Sequence, residues 1–186
     1  MVIRILAISG SLRAGSVNSA IVQAAGRLAP EGVEIDVYDG LADLPHFNPD
    51  LDHEPVAAAV TALRERAQAA DGVLLCVPEY AFGIPGSFKN ALDWTVRSGE
   101  LAAKPVAVVR AAHPSRGARG NAALRLVLSA LSAEIFDDLV LSVPVASTQL
   151  GASGELRPSE LEGVRRAVAA FARSLQAARV ESQPRR

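Results

Sequence analysis

The chain has 186 residues, 49 % of them hydrophobic and 21 % charged, enough to build one folded domain with a substantial core and too few charges for a disordered chain. Its 20 acidic and 19 basic residues leave a net charge of −1, which argues against nucleic acid or a membrane surface as partner. The single cysteine, Cys76, excludes a disulfide framework, and no apolar run approaches the roughly 18 residues of a membrane span. The expectation is a soluble, cytoplasmic chain with one domain over residues 1–180 and a frayed tail over 181–186.

Strand-like and helix-like segments alternate. Val2–Ile8 is a short apolar run of the kind a buried strand uses. Val17, Ile21, Ala24 and Leu28 form a helical stripe that Pro30-Glu31-Gly32 ends. Val33–Tyr38 alternates as a strand near a sheet edge does, and Asp39–Glu54, with Pro45 and Pro49, reads as loop. Val56, Val60, Leu63 and Ala67 make the next helical stripe, and Asp71-Gly72 breaks it before the buried strand Val73–Val77. Gly86–Arg97 reads as helix, Pro105–Val109 as strand, Gly120–Leu131 as helix and Leu139–Val145 as the last strand. The final helix carries Leu161, Val164, Val168, Phe171 and Leu175 on one face, and Ser159-Glu160-Leu161-Glu162 has the capping-box spacing.

Five apolar strands separated by helices predict an α/β, doubly wound domain: a five-stranded parallel sheet with helices on both faces. Ligands of such sheets bind beyond the carboxyl ends of the strands, where the strand order switches. The loops after the first, third and fourth strands therefore carry the search.

The first of them, Ser9–Asn18, holds two glycines, three serines, an arginine and an asparagine at a strand-to-helix junction. Converging backbone N–H groups, a helix N-terminus, hydroxyls and a guanidinium suit a phosphate. Ser11, Arg13, Ser16, Val17 and Asn18 are the candidates, with Ser16 as a mere helix cap and Arg13 as a solvated loop residue the competing readings. Neither the P-loop pattern nor G-x-G-x-x-G is present, so a nucleoside triphosphate or a Rossmann-bound dinucleotide is unsupported and a monophosphate fits best.

The loop after the third strand is the most specific segment of the chain. Pro78-Glu79-Tyr80, Pro85-Gly86 and Lys89-Asn90-Ala91-Leu92-Asp93-Trp94, taken with Gly10-Ser11-Leu12-Arg13, Ser16 and Asn18 and with Leu44-Pro45 through Asn48-Pro49-Asp50, resemble the NADPH-dependent FMN reductases of the flavodoxin-like superfamily, which include quinone, chromate and azo-dye reductases. The resemblance covers most of positions 3–130 and implies strand order 2-1-3-4-5, FMN as cofactor and NADPH or NADH as reductant. It implies ping-pong hydride transfer through FMN to a small-molecule acceptor: a quinone, an azo compound, a metal oxyanion or free flavin. It places the FMN phosphate in the first loop and the flavin ring against Pro78, Glu79, Tyr80, Ala81, Phe82 and Gly83. It also implies a homodimer or homotetramer through the helix around Phe88 and Trp94, two aromatics that lie about 120° apart on a helix at 100° per residue. Family members usually carry asparagine, often followed by glycine, after the Pro-Glu-Tyr triplet, where this chain has Ala81-Phe82.

In the loop after the fourth strand, Arg116 is a candidate for stabilising negative charge at flavin N1–O2, and Arg116 or Arg119 for attracting the NADPH 2′-phosphate. Pro114 removes a backbone donor there. His46, His53 and His113 lack metal-site spacing, and Cys76, inside an apolar strand, reads as a buried small hydrophobe. Two other functions stay open on the residues: a flavodoxin-type electron carrier, against which the near-neutral charge argues, and a relative that has lost flavin.

Overall fold

The computed structural model describes residues 2–112, 117–136, 142–145, 150 and 155–181. In chain order the elements are β1 (Ile3–Ser9), α1 (Val17–Arg27), β2 (Val33–Tyr38), α2 (Ala58–Ala69), β3 (Gly72–Cys76), α3 (Gly86–Asp93), β4 (Pro105–Val108), β5 (Arg110–Ala112), α4 (Ala118–Ala130), β6 (Glu134–Ile135), β7 (Ser142–Pro144) and α5 (Pro158–Glu181). Two short 3₁₀ turns, Gly40–Ala42 and Pro49–Leu51, punctuate the loop after β2.

The main sheet is parallel throughout, in the order β2-β1-β3-β4-β6. Its first four positions are those the sequence predicts, and the order switches between β1 and β3, as in flavodoxin-like sheets. Alternate residues of the central strands face opposite, buried sides, which is why β1 and β3 read as continuously apolar whereas the edge strand β2 alternates. Ile3, Ile5, Ala7, Leu74, Cys76 and Ala107 pack with α1 and α5, whereas Leu6, Ile8, Val73, Leu75 and Val106 pack with α2, α3 and α4. Gly72 marks the tightest approach to α5, since a Cβ there would lie 2.8 Å from the Phe171 ring.

The fifth sheet position departs from the expected Leu139–Val145 strand. Glu134–Ile135 sits beside β4, with Phe136 N–H bonding to Val106 O at 3.1 Å. Ser142–Pro144 pairs instead with β5, which follows β4 after the single residue Val109. A two-residue strand shows no periodicity, so the sequence could not signal β6. Residues 139–141 of the expected strand lie outside the described residues.

Two helices start earlier than their patterns suggest. α4 begins at Ala118, before its apolar stripe. α5 begins at Pro158, and its capping box is built by Glu160 rather than by Ser159 and Glu162: the Glu160 carboxylate accepts from the Arg157 backbone N–H at 2.7 Å and from its guanidinium at 2.7 Å. α3 is shorter than Gly86–Arg97, ending at Asp93 with Trp94 at its cap.

Phe88 and Trp94 are both sealed inside the chain, at 0 % and 1 % exposure. Trp94 meets Phe47 edge to face at 5.1 Å between centroids, and its Nε1–H donates to Pro45 O at 2.8 Å. Asn90 grips the same segment, accepting from Phe47 N–H at 2.7 Å and donating to Pro45 O at 2.9 Å. Asn90 and Trp94 of the Lys89–Trp94 motif thus bind the loop after β2, and the two aromatics no longer argue for a subunit interface. Among the described residues no helix is long and apolar enough to cross a membrane. Replacing Asn90 by Ala removes both bonds to the 45–47 segment, so urea denaturation is expected to show a loss of about 1–2 kcal/mol with an unchanged m-value.

Candidate functional site

β1 and β3 pair in register up to Ser9 and Cys76, so their loops leave the sheet side by side. Gly10 N–H bonds to Cys76 O at 3.0 Å, and a Cβ on Gly10 would lie 2.7 Å from the Val77 side chain. Only glycine permits that approach. The two loops and the N-terminal end of α4 surround a cleft of about 520 Å³, within the roughly 300–1,000 Å³ of cofactor sites. Its lining brings together Ser11, Arg13, Ser16, Asn18, Pro78, Glu79 and Tyr80 from the sequence-derived set.

The floor of the cleft is the first loop. Ser11 N–H bonds to Ser9 Oγ at 3.2 Å, Arg13 N–H to Ser11 Oγ at 3.3 Å, and the Ser9 and Ser19 hydroxyls share a bond at 2.9 Å. Serines therefore shape the loop, and Gly15, with φ 69°, supplies its left-handed residue. Ser16 occupies the N-cap position of α1, 2 % exposed, yet its side chain makes no capping bond. The reading of Ser16 as a mere cap is thereby answered, because its hydroxyl remains available to the cleft it lines. The N–H groups of the first helical turn have no acceptor within the helix, and the dipole end adds positive potential. Asn18 is buried and also lines the cleft. Val17 turns its side chain into the core, 3 % exposed, and can contribute only its backbone.

The second wall is the loop after β3. Tyr80 and Gly83 exchange backbone bonds, at 3.0 Å from Tyr80 N–H and 2.8 Å from Gly83 N–H. Between them Ala81 and Phe82 both have positive φ, 48° and 63°. A two-residue turn of that kind is type I′, whose geometry favours Asn-Gly. This explains the asparagine and glycine that the resemblance leads one to expect: they suit the turn itself, and Ala81-Phe82 adopts it at a cost of about 1 kcal/mol or more per residue. Phe82 is 65 % exposed, with the Arg119 guanidinium stacked 4.2 Å from its ring centroid. Ala81, Phe82 and Gly83 do not line the cleft.

Glu79 has a role the sequence did not disclose. Its carboxylate accepts from Gly120 N–H at 2.7 Å, in the first turn of α4. A Cβ on Gly120 would stand 2.8 Å from the Cβ of Glu79, so the glycine admits the carboxylate. Glu79 thus caps α4 from across the cleft and holds the two walls together.

The loop after β4 contributes Arg110, Ala111, Gly117, Ala118 and Asn121. Arg110 and Asn121 were missed in the sequence; the signal available was position, at the carboxyl end of the fourth strand and in the first turn of the following helix. His113, Pro114 and Arg116 lie outside the described residues. Lys89 and Asp93 form a salt bridge at 2.5 Å away from the cleft. Cys76 is fully buried, and burial pushes its thiol up to about 12. No cluster of metal-ligating side chains occurs among the described residues.

The sequence profile of the NADPH-dependent FMN reductases matches residues 3–148. The chain belongs to that family. Membership makes it an oxidoreductase that works with FMN and NAD(P)H. It is 36 % identical to an NAD(P)H-dependent FMN reductase of Pseudomonas aeruginosa, over 83 % of this chain and 84 % of that one. It is 34 % identical to a quinone reductase of Escherichia coli, over 73 % and 74 %. Among solved structures, a flavoenzyme NAD(P)H:(acceptor) oxidoreductase of Paracoccus denitrificans superposes with a TM-score of 0.75 at 27 % identity, covering 95 % of this chain and 98 % of that one.

Two outcomes follow for this member of the family. Ala81→Asn is expected to relieve the left-handed backbone and stabilise the protein by up to about 1 kcal/mol in thermal unfolding. Glu79→Ala is expected to cost about 1–2 kcal/mol by uncapping α4, measured the same way.

Proposed function

We propose that the cleft holds FMN, with its phosphate at the N-terminus of α1 and its ring against the loop after β3, and that the enzyme passes hydride equivalents from NAD(P)H to a quinone. The observation that carries this reading is Ser16: a buried residue at an N-cap position whose hydroxyl is withheld from capping and opens on the cleft. Ser11, Arg13 and Asn18, with the backbone at Val17, complete a donor set fit for a phosphate dianion.

FMN, when bound, supplies the hydride chemistry at its ring, and no protein acid or base is needed for that transfer. What the chain provides is binding, orientation and potential. Pro78, Glu79 and Tyr80 frame one edge of the slot, with the backbone of Ala81 to Gly83 holding the turn that shapes it. Arg110 adds a cation to the same cleft, which would stabilise the negative charge of a reduced flavin held there. Arg116 belongs to the same segment and remains our candidate with it. Tyr80 lines the cleft and is 47 % exposed, offering an aromatic face suited to flat aromatic acceptors. The quinone reductase relative favours a quinone over an azo compound, a metal oxyanion or free flavin. The same reading includes a cytoplasmic homo-oligomer, which rests on the family resemblance.

The test is a visible-spectrum titration with FMN, followed by anaerobic NADPH and then a quinone. Saturable binding, bleaching by NADPH and recovery with quinone are expected, with parallel lines in double-reciprocal plots. Binding without bleaching would favour an electron carrier, and no binding would overturn the reading. Arg13→Ala is expected to weaken FMN about 10- to 100-fold while leaving riboflavin nearly unchanged, since a charge-assisted bond to phosphate is lost.

A further inference from the structure

Behind Asn18, one of the residues that line the cleft, lies a buried thiol. Cys76 ends β3, fully buried, and its thiol donates to Asn18 Oδ1 at 3.3 Å. Burial keeps the thiol protonated across the working pH range, so it is always a donor.

The direction of this bond fixes the Asn18 amide. Its oxygen is engaged by the thiol, and among the described residues nothing accepts from its Nδ2. Yet Asn18 is only 7 % exposed, and no buried side-chain nitrogen or oxygen among the described residues is left without a partner. Nδ2 therefore opens on the cleft that Asn18 lines. An amide turned the other way would present its oxygen, an acceptor, to a ligand that is itself all acceptor.

We propose that Cys76 is a positioning residue of the anion site: its buried thiol locks the Asn18 amide with its N–H groups toward the FMN phosphate. This rests on the flavin reading above and assigns the residue that sets the polarity of its phosphate cage. Without the thiol, Asn18 Oδ1 loses its donor and the amide is free to turn. An amide held through its oxygen presents its N–H groups more firmly than a freely rotating one would.

The experiment measures FMN and riboflavin affinities side by side, by quenching of flavin fluorescence, with thermal unfolding of the flavin-free protein as the fold control. Cys76→Ala is expected to weaken FMN about three- to tenfold, one hydrogen bond's worth, and to leave riboflavin within about twofold. Cys76→Ser, which keeps an O–H donor, is expected to restore FMN affinity to within about twofold of wild type. In an Asn18→Ala background, Cys76→Ala is expected to add no further loss, because the two residues act as one unit. Equal weakening of FMN and riboflavin would reduce Cys76 to a packing role and overturn the proposal. So would unchanged FMN affinity in Cys76→Ala, no rescue by Cys76→Ser, or additive losses in the double variant. If wild-type protein binds neither flavin, the flavin reading itself fails and takes this inference with it.

Discussion

The parallel pairing of β1 with β3 brings the chemistry together. Residues 5–9 run beside residues 72–76, and both strands stop at the same level. At that point Gly10 lies so close to Val77 that a side chain on it would collide at 2.7 Å. Two loops far apart in sequence are thereby forced to leave the sheet from one place and diverge around a common space. Everything that follows about the cleft depends on this contact, because neither loop alone encloses anything.

Two helix N-termini then meet the same cleft, and the chain treats them differently. The α4 end is occupied from within: Glu79 reaches over from the opposite wall and bonds to Gly120, through a gap that the glycine keeps open. Among the described residues no side chain caps the α1 end, although serine stands at the cap position where a capping bond is ordinarily worth about 1 kcal/mol. An internal carboxylate at one end and an uncapped terminus at the other are the reasons we propose the anion at α1.

Much of this was legible in the residues. Apolar runs, and at the edge strand β2 an alternating one, gave the four long strands, and the serine- and glycine-bearing loop pointed to a phosphate because its chemistry is local. The family motifs were equally plain in sequence, but not their division of labour. Asn90 and Trp94 brace the loop after β2, and Glu79 caps a helix about forty residues on, contacts that depend on tertiary approach and leave no periodic trace. The turn at Ala81-Phe82 was invisible for another reason: its residues contradict the geometry they adopt, and the Tyr80–Gly83 pairing overrides their preference. Within the expected last strand, Leu139–Val145, residues 142–144 form β7 beside β5, while the fifth position of the main sheet goes to Glu134–Ile135, too short to show a pattern.

We propose that the uncapped N-terminus of α1 holds the phosphate of a flavin whose ring lies against the loop after β3. The decisive measurement is a crystal structure of the protein grown with FMN. Phosphate oxygens are expected within about 3.2 Å of the first-turn N–H groups of α1, the Ser16 hydroxyl and the Asn18 side-chain nitrogen. A phosphate seated at α4, with Glu79 displaced from Gly120, or a flavin bound with its phosphate in solvent, would contradict it.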